Sequence, residues 1–261
     1  MDAIVMAGGV PEPDDPLYEF TQGEPKALLD IAGKPMVQWV LDALDGAETV
    51  DQVVLISLSE EHGLKFSKPI TYVADQGGLL QNVRAGIEKV VELNPDARHV
   101  LAVSSDIPAI NSEMIDWMVD KSMETDLDLY YTVIPRQVME ARFPEANRTF
   151  TRLKDAEICG GDMNMVRAST VNANEELWDR IIAARKNVLK QASLLGYGNL
   201  LLLLSGQLTI QGAVKRVTER MDITGQAVFS PYAELGMDVD KPHQLEILRT
   251  DLAASQQAQD A

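Results

Sequence analysis

Short apolar runs separated by longer amphipathic stretches recur through the first 134 residues, and this rhythm constrains the fold more than any other feature. AIVMA (3–7), QVVLISL (52–58), ITYVAD (70–75), HVLAVSS (99–105) and LDLYYTVI (127–134) have the length and near-continuous hydrophobicity of buried strands. Between them, PMVQWVLDAL (35–44) carries Pro35 in its first turn, LLQNVRAGIEKVVEL (79–93) has helical periodicity, and NSEMIDWMVDKSM (111–123) opens on cap-type residues. Strand, helix, strand, helix in this order predicts a three-layer α/β/α domain around a mostly parallel, mixed central sheet of Rossmann-like type. Ligands of such sheets sit beyond the carboxyl ends of the strands. That rule directs attention to Gly8-Gly9, to Asp75 through Gly78, and to Ser104 through Asp106.

Past residue 135 the pattern loosens. PRQVMEARFPEANRTF reads as a polar excursion, and FTRLKDAEICGGDMNMVRA (150–168) as two short strands joined by a Gly-Gly turn. Residues 174–222 read as a mainly helical insertion with a Leu-rich centre, QAVFS (226–230) as a strand, and GMDVDKPHQLEIL as the approach to a last helix. These elements make one domain over 1–253, with 254–261 as a disordered tail. The Leu-rich block reads as cover for the sheet; a helix face shared with a second copy, giving a homodimer, is the alternative.

Charge narrows the partners. Forty acidic residues against 23 basic ones give a formal net charge of −17, which argues against a nucleic-acid partner and against an anionic membrane surface. The longest apolar block, LLLLL (200–204), is far short of the ~20 residues of a membrane span. A single cysteine, Cys159, allows no intrachain disulfide, and MDAIVMAGG lacks the basic and apolar regions of a signal peptide. The expectation is a cytoplasmic protein.

Three features carry chemistry. Gly8-Gly9 directly after a strand lets backbone N–H groups approach an anion, and Lys26, stiffened by Pro25, can bring an ammonium to phosphate oxygens. Asp106 closes an apolar strand before Ile107-Pro108, a suitable place for a Mg²⁺ ligand or a turn-forming carboxylate. Asp238 and Asp240 have alternate-residue spacing and share a face if 237–239 is a strand; Asp240 is also placed to cap the last helix. One carboxylate from mid-chain and one from near the end make a reasonable two-ligand Mg²⁺ site completed by phosphate and water.

These segments resemble a known family. AIVMAGG followed by PKALLDIAGKPMVQWVLDAL resembles the opening of nucleotidyltransferases with a glycosyltransferase A-type fold, among them sugar-phosphate nucleotidylyltransferases and the molybdenum-cofactor guanylyltransferase-like branch. SSDIPAI resembles the mid-chain metal segment of that family, DVDKPHQLE its closing metal motif, and DQGGLLQNVRAGIE its base-recognition loop and helix. The resemblance covers roughly 1–134 and 226–250. It implies attack of an acceptor phosphate on the α-phosphorus of an NTP, with release of pyrophosphate. Ala7, Gly8 and Gly9 would line the triphosphate, and Lys26 would neutralise its developing charge, sharing the catalytic role with Asp106. Gln76, Gly77, Gly78, Gln81 and Asn82 would seat base and ribose, Asp106 and Asp240 would hold Mg²⁺, and Gly161 and Asn164 would contact a phosphorylated small-molecule acceptor.

One departure stands out. The family it resembles usually carries an arginine in the loop after the glycines, and GGVPEPDDPLYEFTQGEPK has no cation before Lys26. Arg152, Lys154 and Lys34 are the candidates to replace it. Two other readings follow from the same residues: a non-catalytic sensor of nucleotide or sugar phosphate, and a glycosyltransferase using Asp238-Val239-Asp240 as a D-x-D motif. Base specificity and the acceptor are not encoded in any signature that can be decoded.

Overall fold

In the computed structural model the chain is described over residues 1–170 and 207–259. The first strand, β1 (Asp2–Met6), lies inside the sheet and pairs in parallel with β4 (Gln52–Ile56) on one side and β6 (His99–Ser104) on the other. Its residues alternate between two cores. Ala3 and Val5 face Val37, Val40, Leu41 and Leu44 of α2 (Met36–Gly46) and Ile115 and Met118 of α4 (Ser112–Met123). Ile4 faces Ile87 and Val90 of α3 (Leu79–Leu93). Both faces are covered, so the strand has no polar positions to spare, and this is why these strands read as unbroken apolar runs.

Helix α3 lies tight on the sheet because Gly86 is a glycine. A Cβ there would come within 2.7 Å of Ile56 Cδ1 and 3.0 Å of Ile4 Cγ2. Helix α4 starts where its cap predicts: the Asn111 side chain accepts from Met114 N at 3.0 Å. A small ribbon, β2 (Asp30–Ile31) and β3 (Lys34–Pro35), leads into α2. Strand β5 (Ile70–Val73) extends the sheet beyond β4.

The second half of the sheet is mixed. Strand β10 (Met163–Arg167) runs antiparallel between β6 and β7 (Leu129–Pro135), and β9 (Glu157–Gly160) runs antiparallel to β7 and to β8 (Thr151–Arg152). Strand β11 (Gly225–Phe229) pairs in parallel with β7. The order among the described strands is β5-β4-β1-β6-β10-β7-β9-β8, with β11 also on β7. This is the mostly parallel, mixed sheet with flanking helices that the strand–helix rhythm predicts.

Three expectations need correction. Gly160-Gly161 is not a hairpin turn, because β9 and β10 never pair with each other. Both lie along β7, with Val133 opposite Gly160 and Tyr130 opposite Met165. They are one strand interrupted by a bulge at 161–162. Arg136–Arg142, inside the expected polar excursion, is a helix, α5. Met139 is its one buried residue, so a single apolar anchor left no period to read. The last helix, α7 (Pro242–Gln259), runs through most of the segment expected to be a disordered tail; its Ala and Gln residues favour helix without needing burial. Most of the expected helical insertion at 174–222, including the Leu-rich block, lies outside the described residues; its end, Ile210–Met221 (α6), is helical. Among the described residues no helix is long and apolar enough to cross a membrane.

Candidate active site

The site forms where β1 and β6 end. After Met6 the chain leaves the sheet through Ala7-Gly8-Gly9. A Cβ on Gly8 would lie 2.7 Å from Ser57 Oγ, 2.8 Å from Asp75 Oδ1 and 2.9 Å from Asn82 Nδ2, so no other residue fits without displacing that polar cluster. The Gly9 carbonyl accepts from Lys26 N at 2.7 Å and anchors the base of the lysine. The loop between them is tied down by Leu17, which is buried, and by Asp15, whose Oδ1 accepts from Leu17 N at 2.8 Å.

From that anchor Lys26 reaches two carboxylates at once. Its Nζ lies 2.6 Å from Asp106 Oδ2 and 3.0 Å from Asp240 Oδ1. The segments that carry the aspartates are joined directly, since Val239 N donates to Asp106 O at 3.0 Å. Burial alone would lower the lysine pKa, but the charges and hydrogen bonds of Asp106 and Asp240 outweigh it and hold the pKa above its ordinary value. The two aspartates predicted to share a cation therefore converge on one position, beside the predicted glycine bend.

The neighbouring aspartate takes another partner. Residues 237–239 are not a strand, and Asp238 is buried in an ion pair with Arg148. A D-x-D site needs both aspartates for a ligand, and here one is already occupied. Arg148 is also where a guanidinium enters this cleft. Of the residues expected to replace the missing loop arginine, Arg152 pairs with Glu157 and is 77% exposed, Lys34 pairs with Asp42 and lies over the Trp39 ring, and Lys154 is tied through its backbone to Leu208. None of these contacts is with the cleft. Arg148 stands in the excursion that sequence periodicity could not parse.

A second residue was missed for a related reason. The bulge between β9 and β10 is held by Gly161 N to Thr132 O (2.9 Å), Thr132 N to Asn164 Oδ1 (2.9 Å) and Asn164 Nδ2 to Gly161 O (3.2 Å). The Asn164 amide supplies the acceptor that the extra residues withdraw from Thr132. Gly161 has no room for a Cβ, which would sit 2.7 Å from Thr132 Cγ2. The polar atoms of these two residues are thus engaged inside the sheet. What the bulge presents is Asp162. Burial and the nearby carboxylate of Asp106 push its pKa up to about 7, against the pull of Arg148.

The other side of the cleft is a self-supporting polar cluster. Asn82 accepts from Gln76 N (2.7 Å) and donates to Asp75 Oδ1 (2.8 Å), while Asp75 also accepts from Ser57 Oγ (2.9 Å) and Gly77 N (3.0 Å). Asn82, Ser57 and Gly77 donate to the Asp75 carboxylate and hold its pKa below the usual range despite some desolvation. Gly77 adopts φ +81°, a conformation suited to glycine. Asn82 is buried, so it shapes the loop from Asp75 to Gly78 and leaves the loop's main chain to face a ligand. Gln76 donates from its side chain to Ala74 O at 2.7 Å, within the same loop. Cys159 is buried, and burial raises its thiol pKa, the opposite of what a nucleophile needs.

Four carboxylates, Asp106, Asp162, Asp238 and Asp240, thus surround two cations, Lys26 and Arg148. Asp106 Oδ1 and Asp162 Oδ2 are buried without a hydrogen-bond partner. An all-oxygen donor set with an excess of negative charge suits a hard divalent ion. Among the described residues no group of three or more His, Cys, Asp or Glu is placed to hold a metal. An ion here would therefore take two protein carboxylates, Asp106 and Asp240, and complete its shell from ligand and solvent.

Comparison with known proteins speaks to family and fold. Residues 3–187 match the MobA-like NTP transferase domain. Ribitol-5-phosphate cytidylyltransferases of Streptococcus agalactiae, from serotypes Ia and V, are each 26% identical over 132 residues, 47% of this chain and 52% of theirs. The chain spans about half the length of these curated relatives. A hypothetical transferase from Thermus thermophilus is 33% identical, with a TM-score of 0.80 over 94% of this chain and 98% of that one. The 4-diphosphocytidyl-2C-methyl-D-erythritol synthase of Anaerococcus prevotii superposes with a TM-score of 0.58 at 12% identity, over 96% of this chain and 95% of that one. CMP:2-keto-3-deoxy-manno-octonic acid synthetase, complexed with CTP, superposes with a TM-score of 0.56 at 15% identity, over 97% and 98%. The last two speak to the fold alone.

Proposed function

We propose that this chain, which belongs to the family of MobA-like NTP transferase domains, transfers a nucleotidyl group from an NTP to a phosphorylated small-molecule acceptor and releases pyrophosphate. CTP is the nucleotide and a polyol or sugar phosphate the acceptor, by likeness to the ribitol-5-phosphate cytidylyltransferases. The observation that carries the reading is the Lys26 ammonium held within 3.0 Å of both Asp106 and Asp240 beside the Gly8-Gly9 bend. No protein base is required, because the attacking phosphate oxygen is already ionised. One acceptor oxygen forms a bond to the α-phosphorus as the bond to the β-phosphate oxygen breaks, and the electron pair leaves with pyrophosphate.

The protein supplies position and charge. The backbone at Gly8 and Gly9 lines the triphosphate, and Lys26, anchored through Gly9, turns its ammonium from the carboxylates to the phosphate oxygens. The loop from Asp75 to Gly78, braced by Asn82, seats base and ribose. Asp106 and Asp240 would hold Mg²⁺, which supplies charge neutralisation at the phosphates when bound. Arg148 brings the guanidinium that the glycine loop lacks, on the acceptor side of the cleft.

The test is pyrophosphate release from each of the four NTPs with ribitol 5-phosphate, with Mg²⁺ and with a chelator. Release with CTP and Mg²⁺ that falls at least ~100-fold in Asp106→Asn is the expected result, the scale of losing an electrostatic contact to the transferring group. A chain that binds CTP tightly yet releases no pyrophosphate with any phosphorylated polyol or sugar is a sensor, and the proposal fails.

A further inference from the structure

Asp162 is fixed on both sides through its backbone, and its side-chain tip is buried without a partner. Its N–H donates to Leu235 O and its carbonyl accepts from Ser104 N, each at 2.8 Å. The backbone is therefore locked between the segment leading to Asp106 and the segment leading to Asp238 and Asp240. The side chain stands within electrostatic reach of Asp106, Arg148, Asp240 and Lys26. Its Oδ2 is nevertheless buried with no donor among the described residues. Leaving a buried carboxylate oxygen unpaired is destabilising. The sheet maintains it with a two-residue bulge, a glycine that cannot be enlarged and an asparagine side chain committed to the backbone. Such an arrangement is intelligible if a ligand completes it.

We propose that Asp162 binds the acceptor: Oδ2 accepts a hydrogen bond from a hydroxyl group of a polyhydroxylated phosphate ester and so fixes which end of that molecule meets the nucleotide. The inference rests on the nucleotidyltransfer reading and adds a recognition residue to it. A phosphate group is the poorer occupant, because an ionised carboxylate and a phosphate repel. A metal ion fits less well, since Asp106 and Asp240 converge on Lys26 Nζ while Asp162 makes no bond there, and no three-carboxylate metal set exists among the described residues. Hydroxyl donors are the remaining partners, and a polyol phosphate has them in a chain behind its phosphate.

Asp162→Asn, nearly isosteric, and Asp162→Ala test this with CTP, Mg²⁺ and ribitol 5-phosphate. The expected result is a KM for ribitol 5-phosphate raised ~10- to 100-fold, the size of a lost hydrogen bond to a charged group. Calorimetric binding of CTP with Mg²⁺ should stay within about twofold of wild type, since Asp162 makes no hydrogen bond to Lys26, Asp106 or Asp240. Both variants should melt at or above the wild-type temperature, because the substitution relieves a buried unpaired charge. A parallel fall in CTP–Mg²⁺ affinity would make Asp162 a metal or nucleotide residue and overturn the proposal. So would an unchanged KM, or a lowered melting temperature with KM unmoved, the mark of a structural strut. Direct titration of ribitol 5-phosphate into wild type and Asp162→Asn reads the residue without turnover. Weaker binding to the variant supports it, and equal affinity or no binding to either protein overturns it. Failure of the wild type to release pyrophosphate would instead count against the transfer reaction.

Discussion

Replacing Lys26 by Met should expose how much of this fold depends on a cation between Asp106 and Asp240. Met keeps the apolar stem and deletes the charge. The side chains of Lys26 and Asp106 are 16% and 14% exposed, whereas Asp240 is 56% exposed. The Asp106 arm is therefore a mostly buried pair, whose breakage costs ~3–5 kcal/mol, and the Asp240 arm is a surface pair worth well under ~1 kcal/mol. A loss of about 3 kcal/mol is the reasonable figure, since the cleft admits water to the abandoned carboxylate. For a chain of this size that corresponds to a fall in Tm of ~6–12 °C.

The same reasoning requires partial rescue by a divalent ion. With Lys26 gone, Mg²⁺ can occupy the position between the carboxylates without displacing the ammonium. At ten times its Kd it should return about 1.4 kcal/mol, or a few degrees. In wild type the ion competes with Lys26, so its effect without nucleotide should be smaller. Thermal melts of both proteins with MgCl₂, against KCl at matched ionic strength to remove screening, decide the matter. A variant that melts within a degree or two of wild type, or equal Mg²⁺ shifts in both proteins, would refute a shared cation position.

Other expectations follow from single contacts. Gly8→Ala would press a methyl group into the Ser57, Asp75 and Asn82 cluster; a stability loss of ~1–3 kcal/mol in urea is expected, with weakened CTP binding by calorimetry. Asn164→Ala should cost ~1–3 kcal/mol by leaving Thr132 N without its acceptor, and should impair acceptor use more than CTP binding because the bulge carrying Asp162 relaxes. Asp128 clasps three strands: it accepts from Arg167 Nε (2.6 Å) and from Thr224 N and Oγ1 (each 2.8 Å). Partial burial works to raise its pKa, but these donors outweigh it and the pKa is lowered. Its contribution is therefore present above the unfolded carboxylate pKa and is lost as pH falls through the lower folded value. Asp128→Asn should destabilise the protein at neutral pH and flatten the acid limb of a stability-versus-pH curve below about pH 4; an unchanged acid limb would contradict the clasp.

The first half of the molecule was legible because its physics is local. Strands buried on both faces must be apolar throughout, and helices covering them must repeat every three to four residues, so β1, β4, α3 and β6 follow from composition and spacing alone. The cation position was legible in part for a further reason: a parallel sheet gathers strand ends, so Gly8 and Asp106 had to meet, whereas Asp240 follows no strand and is brought in by Val239 N donating to Asp106 O. In the second half, position depends on pairing between distant strands. Gly160-Gly161 reads as a turn because glycine pairs most often are turns. Whether β9 turns back on β10 or continues past a bulge is decided by β7, some thirty residues earlier.

That non-local decision also explains why Asp162 and Arg148 stayed hidden. Gly161 and Asn164 carry a recognisable pattern, and in the structure their polar atoms hold the bulge; Asp162, which lies between them, is an ordinary aspartate to any reading by spacing. Arg148 is hidden in a similar way. It follows a helix with one buried residue and pairs with Asp238 from the other end of the chain, so nothing within reach along the sequence distinguishes it from Arg142 or Arg152. Arg142 reaches Glu234 and Asp251, and Arg152 stays near Glu157 on the surface. These three of the four arginines in one loosely patterned stretch have three separate fates, and only the return of the chain through Asp238 selects the one that enters the cleft. A missing guanidinium in the glycine loop is therefore a statement about that loop, and the charge it would have supplied can be delivered from a segment whose own sequence carries no sign of it.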